Sequence, residues 1–241
     1  MQQAEKTRTE QRTPTRSRKR LVLAGAVLAL VLAVGGPFVY INYLQGDAPE
    51  RLEVATATTG AGAAATGGSL DGTWAVANGS QVGYRVGEVL LGQHVEAVGR
   101  TSAVTGELTV SGTQVDNGSF SVDLTQVASD EDRRDNAFQG RIMETATYPT
   151  ATFELTEPIT LRELPADGET VTANAVGELT LHGTTRAVTV ALTVQRSGDT
   201  IKASGSIPVT FADYGIANPS FGPVTTEDHG EIEFLLAFTR G

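Results

Sequence analysis

Cysteine is absent from the 241-residue chain. Disulfides, thiolate nucleophiles and cysteine-based metal sites are therefore excluded, and any folded part must rely on its own core. Histidine is almost absent: His94, His182 and His229 each lie within two residues of a glycine, in turn-like contexts. No HExxH and no histidine pair at helical spacing offers a zinc site. Asp130, Glu131, Asp132 and Asp135 cluster, but without the central glycine and terminal glutamate of a calcium loop. Gly-x-Ser-x-Gly is missing, and nothing local supports a hydrolase triad. Gly60, Gly62, Gly67 and Gly68 have no strand before them and no Lys-Ser/Thr after them, so they form no phosphate loop. No catalytic residue, no metal ligand and no cofactor is expected, and the protein is not read as an enzyme.

Positive charge is scarce in the C-terminal part. Leu70 to Gly241 carries 10 Lys/Arg against 23 Asp/Glu. A surface so acidic repels phosphate backbones and anionic lipid headgroups, so no nucleic-acid partner is expected. Aromatic residues are also few, at 6% of the chain. The inward faces otherwise carry Val, Leu, Ile, Ala and Gly, which suits a hollow apolar interior and a filled core equally.

What the chain does have, first, is an apolar run without charge, residues 21–44 (LVLAGAVLALVLAVGGPFVYINYL), behind a basic tail, residues 1–20. About 20 apolar helical residues cross ~30 Å of hydrocarbon. Tyr40 and Tyr43 suit the outer interface, and the basic flank stays cytoplasmic. The run is longer than a cleaved signal peptide's core, and no good cleavage site follows at once. A single transmembrane signal anchor is expected, with the C-terminal part outside the cytoplasmic membrane. Residues 45–69, rich in Ala, Thr and Gly, read as a flexible linker with a reach of about 25–30 Å.

From Leu70 to Gly241 the pattern has period two. Phe120, Val122 and Leu124 alternate with polar residues, as do Phe153 and Leu155, then Val188, Val190, Leu192 and Val194, then Ile232 and Phe234 against Glu231 and Glu233. Each such stretch is a strand with one buried and one wet face. Asn78-Gly79, Asn117-Gly118, Ala166-Asp167-Gly168 and Ser197-Gly198-Asp199 read as turns between them. Residues 129–149 lack alternation. Ser129 and Asp132 resemble a capping box, and Phe138 and Ile142 share a helical face, so one short helix is expected to cover an end. Many short antiparallel strands give an all-β barrel or sandwich.

Several stretches together form a recognisable series: GTWAVANGSQVGYRV, TSAVTGELTV, DRRDNAFQGRI with YPTATFEL, VGELTLHGTTRAVTVALTV and ADYGI, before an acidic-aromatic last strand. This series, over about Leu70 to Arg240, resembles the YceI-like polyisoprenoid-binding family. The resemblance implies an antiparallel lipocalin-like barrel of about eight strands enclosing a long isoprenoid or other long-chain lipid, in an extracytoplasmic setting. The sequence departs from the family at Asn136 and Ala137, where a histidine is common, and at Ala212, where an arginine often precedes the Asp-aromatic-Gly. Both departures remove polar groups.

The combined expectation is a membrane-tethered lipid-binding barrel that sequesters or shuttles a polyisoprenoid or isoprenoid quinone. The alternative is a filled barrel acting as an envelope interaction or stress-response module. Lipid contacts are expected from Tyr84, Val86, Phe120, Val122, Phe153, Leu155, Leu179, Leu181, Val190, Leu192, Ile207 and Phe234. Arg134 and Asp135 are candidates for holding a polar head.

Overall fold

The computed structural model describes residues 48–55, 69–90, 92–222 and 224–241. The basic tail, the expected anchor 21–44 and linker residues 56–68 lie outside the described residues. Among the described residues no helix is long and apolar enough to cross a membrane.

The strands are β1 (Gly72–Val76), β2 (Gln81–Leu90), β3 (Gln93–Thr101), β4 (Val104–Ser111), β5 (Gln114–Asp123), β6 (Thr150–Leu155) and β7 (Ile159–Thr160). They continue with β8 (Thr170–Leu181), β9 (Thr184–Ser197), β10 (Thr200–Thr210), β11 (Val224–Thr226) and β12 (His229–Arg240). Eight of them, in the order β1-β4-β5-β6-β8-β9-β10-β12, close into an antiparallel ring through the β1–β12 pairing. Closure leaves that ring without a free edge to aggregate. β12 pairs with β1 through Phe238–Arg240 and with β2 through Glu231–Leu235. β2 and β3 form a hairpin that extends this wall.

Between β5 and β6 the chain makes α1 (Asp132–Ala137), which runs on into a π-helical turn, Phe138–Ile142. This is the expected short helix. Its start differs from a capping box: Asp135, not Asp132, accepts from the backbone N–H and the hydroxyl of Ser129, at 2.8 and 2.6 Å. Phe138 and Ile142 do share a face, and both pack into the barrel's core.

Asn117-Gly118 is not a turn. It lies inside β5, paired with Thr109 and Leu108. The hairpin reverses instead at Gly112, whose φ is +59°. A Cβ on Gly118 would meet the Phe120 ring at 3.4 Å, an ordinary van der Waals contact, so pairing within the sheet and not space sets this segment. The turns at Gly79, Gly168 and Gly198 fall where expected, each with positive φ.

Glu233 also departs from the alternation rule. It points outward, as expected, yet is only 2% exposed. Residues 48–55, expected within a linker, lie across this outer wall. Leu52 and Val54 are buried against it. The Val54 amide donates to Ser204 Oγ at 3.1 Å, and Gln195 Nε2 donates to the Ala55 carbonyl at 3.1 Å. Beneath the strap, Glu233 accepts from Arg85 Nε at 3.3 Å and from Arg100 Nη2 at 2.7 Å. Arg85 Nη1 reaches Glu96 at 2.6 Å and its Nη2 donates to the Pro49 carbonyl at 2.7 Å, while Arg100 donates to the Glu50 carbonyl. Burying a carboxylate costs several kcal/mol unless it is paired and hydrogen-bonded, and two guanidiniums offset that cost here.

Candidate functional site

Inside the ring, two groups of buried apolar side chains occupy the two ends. One gathers around Leu179, Leu181, Val190, Ile207 and Phe138, the other around Trp74, Val110, Ile201 and Phe238. Val122, Ile232 and Phe234 pack against both groups at mid-height. Between them runs a cavity of about 290 Å³ whose walls are almost wholly apolar. The barrel is not filled. The volume stands at the lower end of the ~300–1,000 Å³ typical of ligand pockets.

All twelve residues expected to face a lipid are on the cavity wall: Tyr84 and Val86 from β2, Phe120 and Val122 from β5, Phe153 and Leu155 from β6, Leu179 and Leu181 from β8, Val190 and Leu192 from β9, Ile207 from β10 and Phe234 from β12. The structure brings them together because period-two side chains of neighbouring strands in register share one face. Other wall residues escaped the sequence reading. Phe138, Ile142, Leu161, Leu164, Phe211 and Ile216 come from loops and helical turns, where no period marks the inward side. Ile201 and Ala203 come from β10, whose Ser and Gly blur the alternation.

Four of the wall aromatics cover a glycine on the neighbouring strand. Tyr84 stands opposite Gly99, and a Cβ on Gly99 would come within 2.4 Å of its ring. The same arrangement recurs for Phe120 over Gly106 at 2.6 Å, Phe153 over Gly177 at 2.4 Å and Phe234 over Gly205 at 2.9 Å. Each ring fills the place of a missing side chain on the neighbouring strand. An aromatic covering a strand glycine restores the packing that the glycine gives up.

One end of the cavity is polar. Glu88, Arg134 and Thr226 are on the wall there, beside Tyr84. Thr226 Oγ1 meets Glu88 Oε1 in a long contact of 3.5 Å. Burial pushes the Glu88 carboxyl above its ordinary pKa, opposed by the Arg134 charge and the Thr226 bond. Burial likewise pushes the Tyr84 hydroxyl above its usual value, with Arg134 opposing, so it remains a neutral phenol. Arg134 is ion-paired with Asp130 one helical turn away. Asp135 is not on the wall; its carboxylate is committed to Ser129. The two candidate head-holding residues therefore separate, one at the cavity and one in the helix start.

His182 sits with Gly183 in the two-residue β8–β9 turn, both at positive φ. Its Nδ1 lies 3.2 Å from the Tyr214 carbonyl, which can only accept, so that nitrogen carries the proton. The turn and the packed Tyr148 ring, 4.6 Å away, give this histidine a structural place. Among the described residues no group of three or more His, Asp or Glu side chains could hold a metal ion.

The family model of the YceI-like domain matches residues 74–238. No curated protein matches. Among solved structures, a polyisoprenoid binding domain from Saccharophagus degradans implicated in plant cell wall breakdown superposes with a TM-score of 0.55 at 20% identity, covering 70% of this chain and 98% of that one. BcnA of Burkholderia cenocepacia gives 0.53 at 20% identity, over 66% of this chain and 95% of that one. At such identities the likeness is one of fold.

Proposed function

We propose, from the premise that this chain belongs to the YceI-like family, that its barrel binds a long isoprenoid-type chain and carries it at a membrane. The observation that carries this reading is the apolar bore: about 290 Å³ of free space walled by aliphatic and aromatic side chains in a closed ring. Each buried CH₂ is worth ~0.8 kcal/mol, so one five-carbon isoprene unit gains about 4 kcal/mol on leaving water. A chain of several units does not cross an aqueous gap unaided. An apolar bore matches the bilayer interior, so exchange between them is nearly balanced, which is what a carrier requires.

The head of the guest belongs at the polar end. Arg134 is already neutralised by Asp130, and Glu88 adds a second acidic group. That balance favours an uncharged head, an alcohol or a carbonyl, over a diphosphate. The neutral Tyr84 hydroxyl is the hydrogen-bonding partner for it. The protein acts as a binder and not as an enzyme, tethered through residues 21–44 with its barrel outside the cytoplasm. The tether raises the local concentration of the barrel at the bilayer.

Vesicle transfer tests this reading. With the full chain reconstituted in donor vesicles, a fluorescent polyprenol moves to acceptor vesicles faster than from protein-free donors. Equal rates with and without protein count against the carrier.

A further inference from the structure

We infer that the glycine niches behind the wall aromatics select the width of the guest, admitting a methyl-branched chain where an unrecessed ring would pass only a straight one. This rests on the lipid-binding reading and deepens it.

A ring that lies back against the wall presents its thin face to the bore, and one that stands out presents its edge. The four aromatics named above, on four different strands, each cover a glycine of the adjacent strand. Three of these pairs join strands of the ring, and the fourth, Tyr84–Gly99, lies on the β2–β3 hairpin that extends its wall. An isoprenoid carries a methyl on every fourth backbone carbon, so it is wider than a straight acyl chain of equal length. A pocket that must clear one extra methyl discriminates by roughly 10–200-fold.

The Tyr84–Gly99 niche is the cleanest place to test this. The three atoms nearest to a Cβ on Gly99 are all from the Tyr84 side chain, at 2.4, 2.8 and 3.0 Å. At Gly106, Gly177 and Gly205 a backbone carbonyl is close as well, so substitution there also strains the strand. In Gly99→Ala the closest clashes of the new methyl are with the Tyr84 side chain. The displaced ring is stacked on Phe138 at 5.1 Å and both line the cavity, so its shift changes the width of the bore there.

The full chain is purified in mild detergent and offered an equimolar mixture of geranylgeraniol and oleyl alcohol. Both are alcohols, so their heads cancel; one chain is methyl-branched and the other is not. Occupancy is read by native mass spectrometry, and folding by circular dichroism. Wild type retains geranylgeraniol in excess. Gly99→Ala shifts the ratio toward oleyl alcohol by about tenfold or more. Adding Tyr84→Leu to Gly99→Ala removes the displaced ring and restores the ratio, which a general loss of stability does not do. If Gly99→Ala does not fold, Tyr84→Trp reaches the same narrowing from the ring side. An unchanged ratio in the folded variant overturns the inference, as does equal loss of both alcohols. Wild type that binds neither alcohol overturns the lipid-binding reading itself, and this inference with it.

Discussion

The ring of Tyr84 lies 5.1 Å from that of Phe138, and their planes are 14° from parallel. Tyr84 belongs to the barrel wall and Phe138 to the helical turn that covers its polar end, so this stack fastens one to the other. Phe138 is 8% exposed and packs into the core at that end. Phe138→Ala therefore costs ~3–5 kcal/mol of stability, part from lost burial and part from the cavity left behind. Urea denaturation checks it; a loss under about 1 kcal/mol means that the cover is not fastened there.

Glu88 makes stability depend on pH in a stated direction. Its carboxyl is raised above the ordinary value of 4.5, with burial as the main cause. Folding thus favours the protonated form. The contribution is complete below about 4.5 and is lost as pH rises through the raised value. Wild type consequently loses stability relative to Glu88→Gln as pH climbs above 4.5, and the difference levels off once Glu88 is ionised. Paired urea melts across that window measure it. A difference independent of pH contradicts the burial of this carboxyl.

Glu233 and Glu231, both beside the 48–55 strap, carry ion pairs of sharply different weight. Glu233 is 2% exposed and bonded to both Arg85 and Arg100. Glu233→Ala leaves Arg85, itself 4% exposed, without its innermost partner, at a cost of ~3–5 kcal/mol. The Arg51–Glu231 pair is 48% and 37% exposed, and Arg51→Ala costs less than about 1 kcal/mol. Chemical denaturation of the two variants side by side separates these outcomes, and equal losses contradict the described burial.

Much of the bore is legible in the sequence. Strand periodicity is local, so Val190 and Leu192, or Phe153 and Leu155, declare their common face in a few residues. What stayed hidden depends on distant parts of the chain. Glu233 reads as wet until residues 48–55 cover it. The strap did carry a signal, Leu52 and Val54 two residues apart, but composition drew it into the neighbouring Ala/Thr/Gly stretch. Asn117-Gly118 has the side chains of a hairpin turn, yet pairing with Thr109 and Leu108 on β4 holds it inside β5. The polar end is assembled from β2, α1 and β11, so Glu88, Arg134 and Thr226 share no sequence pattern. The niches are likewise a matter of register: Gly99 meets Tyr84 only because β2 and β3 pair as they do.

Weighing the intact, folded chain is the shortest route to whether this bore holds a hydrocarbon guest. The full chain is recovered from lipid-replete cells in mild detergent, its mass is taken under native conditions, and the bound material is then extracted with organic solvent and identified. One isoprenoid-type molecule per folded chain, released on extraction, is the expected result. Folded chain that returns empty from repeated preparations, or that carries only detergent, contradicts the proposed role.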